Sequence, residues 1–164
     1  MTGTPGTGKT TATERLDTDL DVVHLNDVIT SEGFSTGVDE DRGSLVADLD
    51  AVADWLDGRD DLVFESHLAH HFEADRVVVL RAHPETVADR LRGRGDEEAK
   101  AAENAESEAL DVVLSEAVDR HGVESVYEVV TTDSDPVEVA AAIDSVIRGE
   151  REPSAGTVSY LDWV

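Results

Sequence analysis

Apolar positions along this chain fall into short runs separated by acidic or glycine-containing segments, and their spacing alternates between two periods. Val22-Val23-His24-Leu25 and Asp61–Glu65, with Leu62-Val63-Phe64 as its apolar run, read as short buried strands. Val77-Val78-Val79-Leu80 is β-branched and wholly apolar, as a central parallel strand requires, and Val126 to Val130 makes a last strand. Between these runs the spacing lengthens to that of a helix. Helices are predicted over about Lys9–Leu16, from an Asn26 cap through Ser31, and from a Ser44 cap to about Asp57, with Leu45, Leu49, Val52 and Leu56 on one face. Pro84 opens another that ends near Leu91, interrupted by Gly93-Arg94-Gly95. A long helix over about Asp96–Arg120, stopped by Gly122, and a final one from Pro136 to near Gly149 complete the set. Residues 32–43, with three glycines among acids, predict a mobile loop, and 150–164 a tail.

Regular β–α alternation predicts an α/β fold: a parallel sheet with helices on both faces, three layers in all. The chain's 164 residues suit one domain, here 1–149, followed by the tail at 150–164. No apolar run is long enough for a membrane span and no leader pattern opens the chain, which predicts a soluble, cytoplasmic protein. Cysteine is absent, so disulfides and thiolate metal sites are excluded.

Charge changes the picture further. Asp plus Glu number 38 against 13 Lys plus Arg, a net charge of −25, and only Lys9 and Lys100 are lysines. With 40% hydrophobic residues in clear periodicity the chain is foldable rather than disordered. A surface stripped of lysine and covered in carboxylates is that of a halophile's protein, where molar salt screens self-repulsion. Nucleic-acid binding through a basic face is correspondingly not expected.

The most specific chemistry lies in residues 3–10, Gly-Thr-Pro-Gly-Thr-Gly-Lys-Thr, a complete G-x-x-x-x-G-K-S/T P-loop. Gly3, Gly6 and Gly8 let successive N–H groups face a phosphate, and the helix that follows presents its N-terminus to the same anion. Lys9 is placed for the β and γ phosphates, and the Thr10 hydroxyl for Mg²⁺. A P-loop ordinarily follows a buried strand, yet only Met1 and Thr2 precede Gly3. The first strand is therefore expected to be truncated, as it would be if the true start lay upstream.

Three further segments narrow the reaction. Glu65 ends an apolar strand, the position of an acid that holds Mg²⁺ through water opposite the P-loop. His67, two residues on, is placed to orient water or an acceptor, although a histidine at a strand end also serves simply as a hydrogen-bonding group. His67, His70 and His71 could set two imidazoles on one face, but without a second ligand cluster no transition-metal site is expected. Arg90, Arg92 and Arg94 cluster beside Gly93 and Gly95, which reads as a cationic flap over transferring phosphate, Arg94 being the leading candidate. Balancing of nearby Asp89 and Glu97 is the alternative. The third segment, 26–57, lies where a phosphate acceptor would bind.

These motifs, in this order, with Glu65-Ser66-His67, Val79-Leu80-Arg81, Arg90 through Gly95, and Lys100 with Glu103, Asn104 and Glu106, resemble the short-lid adenylate-kinase-like family of archaea and eukaryotic nuclei, the adenylate kinase isoenzyme six type. The likeness spans about residues 2–148. It implies ATP held by Gly6, Gly8, Lys9, Thr10, Thr11 and a lid arginine, Arg94. It also implies an acceptor segment near 26–49, a lid near 93–103, and ATP:AMP phosphotransfer together with ATPase activity. A part in small ribosomal subunit maturation, with transient binding of ribosomal protein S-eleven and the pre-ribosome, is implied by the resemblance as well. Departures are Glu65 where Asp is common in eukaryotic members, Asp96 where an aromatic residue is expected, and the missing strand. The competing readings are an assembly ATPase that switches partner binding, with Leu161 and Trp163 available for docking, and a small-metabolite kinase. A GTPase is disfavoured by the absence of an Asn-Lys-x-Asp motif.

Overall fold

The computed structural model describes residues 1–41 and 43–164. Its strands are β1 (Asp21–His24), β2 (Ser35–Asp39), β3 (Ser44–Ala47), β4 (Leu62–Glu65), β5 (Val77–Arg81) and β6 (Val126–Val130). The helices are α1 (Lys9–Thr13), α2 (Leu25–Glu32), α3 (Leu49–Leu56), α4 (Pro84–Arg94), α5 (Glu98–Ala109), α6 (Val112–His121) and α7 (Pro136–Ile147). β1 runs parallel to β4, and β5 parallel to β6. The two halves meet through the chain's first residues. Thr2 N–H donates to Val78 O at 2.8 Å and Leu80 N–H to Thr2 O at 2.9 Å, while the Met1 amine donates to Phe64 O at 2.7 Å. The sheet order is thus β1, β4, the Met1–Thr2 stub, β5, β6, a parallel α/β sheet in which the expected short first strand contributes one bridge, Thr2 with Val79. None of the described helices is long and apolar enough to cross a membrane.

Cores lie on both sheet faces. Val78, Leu80, Tyr127 and Val129 pack with Ile143 and Val146 of α7, and Val77, Val79 and Val126 with Leu114 and Ala117 of α6. Leu25, Ile29, Val52 and Phe72 form a separate cluster beside β4.

The structure revises four expectations. His24 rather than Asn26 precedes the first turn of α2. Ser35–Asp39 and Ser44–Ala47 pair as an antiparallel hairpin, β2 with β3, where a loop and the start of a helix were expected; residue 42 of that expected loop lies outside the described residues. α3 begins only at Leu49, because the Asp48 carboxylate accepts from Ala51 N–H at 3.1 Å and caps it there. The long helix is two, α5 and α6, broken at Asp111, which sits at φ 55°.

Arg81 explains that break. Its guanidinium, about 1% exposed, donates from Nε to Glu108 at 2.8 Å and from Nη1 to Glu128 at 2.6 Å, and Nη2 binds Asp111. Burial works against its charge, but Glu108 and Asp111 outweigh that and hold its pKa above the usual arginine value. The tail also closes on this hub. Glu128 Oε2 accepts from Thr157 N–H at 2.7 Å and Val158 N–H at 3.3 Å, while Ser154 N–H donates to Val126 O at 3.0 Å. Residues 154–158 are therefore strapped along β6, and Tyr160 beyond them lies edge-on to His83 at 5.6 Å between centroids.

Replacing Arg81 would leave Glu108 and Glu128 buried without a counter-charge. R81M should lower unfolding free energy by about 3–5 kcal/mol in urea titrations at molar KCl. A loss below about 1 kcal/mol would remove the hub from its structural role.

Candidate active site

The P-loop is shaped from below as much as by its own glycines. At Gly3 (φ +146°) a Cβ would lie 2.7 Å from Leu80 O, so only glycine lets the loop settle on β5. Thr4 Oγ1 donates to Glu108 at 2.6 Å, and the Thr7 hydroxyl donates to Thr4 O at 2.8 Å. Thr131, just past β6, donates its hydroxyl to Thr7 O at 2.8 Å. Arg90 of α4 reaches Gly6 O at 3.2 Å and Thr131 O at 2.8 Å. The loop carbonyls thus face protein partners. Gly8 caps α1 without any side-chain hydrogen bond, leaving the helix N-terminus open toward the cavity.

That cavity, about 1170 Å³, is lined by Gly6, Gly8, Lys9, Thr10 and Thr11 on one side. Asn26, Glu65, His67, Arg94, Lys100 and Asn104 are among the residues that complete it. Gly3 is buried beneath it and contributes its carbonyl to Lys9. Lys9 Nζ folds back on Gly3 O at 2.8 Å and Thr4 O at 3.1 Å. Burial drops its pKa from 10.5 to about 8, even with Glu65 and Glu108 opposing.

Glu65 is buried at the end of β4. Its Oε1 accepts from Thr10 Oγ1 at 3.4 Å and lies 2.8 Å from His24 Nδ1. A hydroxyl and a carboxylate converging beside a phosphate loop are hard oxygen donors, the set that suits Mg²⁺. His67 lines the cavity, and although its side chain reaches solvent, burial of the ring, then Lys9 and His70, push its pKa down to about 4. It is a neutral imidazole at neutral pH.

The arginine cluster divides. Arg92 is on the outside, paired with Asp89 at 2.9 Å and Glu98 at 2.6 Å, as the charge-balance reading has it. Arg90 faces inward as a prop for the loop. Arg94 is the last residue of α4 and borders the cavity, but is paired with Asp96 at 2.7 Å, which also holds Lys100 at 3.1 Å. Asp96, where the resemblance expects an aromatic residue, is thus the carboxylate that holds Arg94. Within the segment expected as a flap, 93–103, α4 runs through Arg94 and residues 95–97 connect it to α5.

Sequence reasoning missed His24, Arg90's role and the Thr4–Glu108 link. The signal for His24 was present, a histidine and a carboxylate each ending a strand, but pairing them needs the register His24 opposite Glu65. His70, His71 and Glu116 bring ligand atoms within 4.8 Å of one another. Both His70 nitrogens are already engaged there, Nδ1 with Thr2 Oγ1 and Nε2 with Glu116, each at 2.8 Å.

The family described as "AAA domain" matches residues 1–111. A protein of Halobacterium salinarum is 62% identical over all of this chain and 98% of its own length. One from Natronomonas pharaonis is 63% identical over 99% of this chain and 96% of its own, and one from Methanothermobacter thermautotrophicus 44% over 100% and 97%. All three bear the name "Putative adenylate kinase". The chain belongs to this family. It is an adenylate-kinase-like P-loop protein, a nucleotide kinase by kinship and by the site just described, and two of the relatives named are haloarchaeal.

Because Lys9 loses its proton near pH 8, its attraction for phosphate should be strongest below that pH and weaken above it. Calorimetric titration of Mg-ADP should show affinity falling from about pH 7 to 9.5. In K9R, whose guanidinium stays charged, the profile should be flat; equal slopes in both proteins would assign the titration elsewhere.

Proposed function

We propose that this protein transfers the γ-phosphoryl group of Mg-ATP to AMP, giving two ADP, with water as a slow competing acceptor. The observation that carries the reading is that Lys9, Thr10 and Glu65 line one cavity together with Asn26 and Arg94. Open α1 N–H groups and Lys9 bind the β and γ phosphates, Lys9 leaving the Gly3 and Thr4 carbonyls to do so. Thr10 and Glu65 would hold Mg²⁺, which when bound would neutralise charge on those phosphates. His24 keeps the Glu65 carboxylate turned toward Thr10. His67, neutral, orients water or the acceptor without adding charge. Arg94 exchanges Asp96 for the transferring group, stabilising charge as it develops. The acceptor enters along 26–49, where Asn26 at the start of α2 and Ser44 at the start of β3 border the cavity.

Hydrolysis has an observation of its own in its favour. With only residues 95–97 joining α4 to α5, little chain is available to close over the site and exclude water. The part in small-subunit maturation rests on the resemblance. Its test is retention of ribosomal protein S-eleven on the immobilised protein with ATP and release after hydrolysis; nucleotide-indifferent binding would count against a switch.

The deciding assay is ADP production from Mg-ATP in molar KCl, with and without AMP. AMP should accelerate it, with two ADP formed per ATP consumed, and K9A should reduce both the AMP-dependent and the AMP-independent rates at least about 100-fold. Turnover indifferent to AMP would leave an ATPase and remove the kinase reading. Turnover unaffected in K9A would remove both.

A further inference from the structure

His70 and His71 lie in the short turn Ala69–His71 that follows β4, and Glu116 meets them from α6. The spacing of the histidines offered two imidazoles and no third ligand. The packing of α6 against this turn supplies one. A ring nitrogen from each histidine and a carboxylate oxygen of Glu116 all lie within 4.8 Å of one another. The two rings are tilted by 35°, with their centroids 4.4 Å apart. All three residues border the nucleotide cavity, yet none has a part in the phosphate chemistry described above.

Each donor is prepared in its own way. His70 is buried, and its backbone is fixed because His121 Nε2 donates to His70 O at 2.8 Å. Its Nδ1 lies 2.8 Å from Thr2 Oγ1, a hydroxyl that can itself donate to His67 O at 3.5 Å. With Nδ1 carrying the hydrogen, Nε2 is a bare lone pair aimed at Glu116 Oε2, 2.8 Å away. A ligating histidine is held in this manner, its second nitrogen fixed by an outer partner. The same tautomer sets two acceptors face to face, and a cation between them turns that repulsion into attraction. The buried Nδ1 of His71 has no hydrogen-bond partner among the described residues. Such an orphan calls for an explanation, and an ion bound to this ring is one. The Glu116 side chain is 49% exposed, which gives the cluster a path to solvent.

We propose that His70, His71 and Glu116 form a Zn²⁺ site, separate from the Thr10–Glu65 pair. Two imidazole nitrogens and one carboxylate oxygen suit Zn²⁺ and leave a fourth tetrahedral position for water. Thr10 and Glu65 offer oxygens alone, the donors that Mg²⁺ prefers. Ligand atoms on a tetrahedral ion with bonds of about 2.0–2.1 Å stand about 3.3 Å apart. Glu116 therefore draws back from His70 by about half an ångström while His71 turns inward, and neither side chain is fully buried. Arg120, one turn beyond Glu116 on α6, opposes a cation here, whereas the chain's net charge of −25 attracts one. The ion would tie the segment after β4 to α6. Through Thr2 Oγ1 it would also bear on the residue that precedes the P-loop. Nothing in this assignment rests on the phosphotransfer reading.

The test is Zn²⁺ titration of the metal-stripped 164-residue chain in molar KCl with excess Mg²⁺, read by calorimetry and by competition with a chromophoric chelator. One equivalent should bind with a Kd of about 10 µM or tighter, set apart from the weak, multiple binding of surface carboxylates. H71A and E116A should weaken that equivalent at least about 30-fold, while E124A, which removes an exposed carboxylate elsewhere, should leave it unchanged. E116Q keeps the shape of the side chain and should behave as E116A, so that lost structure does not account for lost zinc. Co²⁺ in place of Zn²⁺ should give the intense visible bands of tetrahedral coordination in the native chain and not in E116Q. Saturating Zn²⁺ should raise the melting temperature by at least about 3 °C in the native chain and by under about 1 °C in E116Q. Zinc held equally by the native chain, H71A and E116Q would place the ion elsewhere and overturn the proposal. So would binding without a defined equivalent, or displacement of the zinc by excess Mg²⁺. No readout here uses nucleotide turnover, so a failed kinase assay leaves the outcome unaffected.

Discussion

A single buried guanidinium organises the half of this molecule that carries the phosphate loop. Arg81 ends β5, the strand on which the P-loop rests, and its three carboxylate partners come from three different places: Glu108 from α5, Asp111 from the break before α6, and Glu128 from β6. An unpaired charge at that depth would be very costly, so none of the four can move alone. Glu108 then passes the constraint upward, since the carboxylate that binds Arg81 through Oε1 accepts the Thr4 hydroxyl through Oε2. Glu128 passes it outward to the backbone of the tail. The phosphate loop, two helices, a strand and the C-terminal strap are thereby fixed relative to one guanidinium. Preorganisation of this kind matters for phosphoryl transfer, where the protein contributes position and charge and little covalent chemistry.

Above that rigid base, the cationic groups that border the cavity are restrained by carbonyls and carboxylates. Lys9 rests on the loop carbonyls, and Arg94 rests on Asp96. The cost of holding them differs. Lys9 loses solvation and drifts toward neutrality, so a phosphate placed beside it would restore its charge. Arg94 stays largely exposed and its pair with Asp96 is weak in molar salt, so release is easy. The two cations are accordingly suited to different tasks, one to holding the ground-state phosphates and the other to arriving with the acceptor.

How much of this could be read from the chain depended on whether the signal was local. β5 was legible because a continuous β-branched run has few alternatives, and the P-loop because its spacing is tightly constrained by phosphate geometry. The hairpin was not. Leu45, Leu49, Val52 and Leu56 repeat at helical intervals, but Leu45 is 51% exposed on β3 and only the last three belong to α3. The Asp48 cap that separates them was visible in the sequence; nothing local ranked it above Ser44. The break at Asp111 carries no glycine or proline and is held by an ion pair to a residue 30 positions away. Of the site, Lys9, Thr10 and Glu65 were legible as a motif with a strand-end acid, whereas His24 and Arg90 act through tertiary register that spacing does not encode.

The same distinction bears on the chain's extreme acidity. Most of its 38 carboxylates serve solvation, and with 13 basic residues the molecule repels itself at low salt. That repulsion acts between exposed groups and is screened within about 3 Å at 1 M salt. The Arg81 cluster is sheltered from it: there the attraction is short, dry and independent of added ions. Salt should therefore govern whether the shell stays closed around the hub, while the hub governs the loop's geometry once it has. A residue such as Arg92, paired in solvent, contributes to the first and not to the second, although nothing local in the sequence separates it from the inward-facing Arg90.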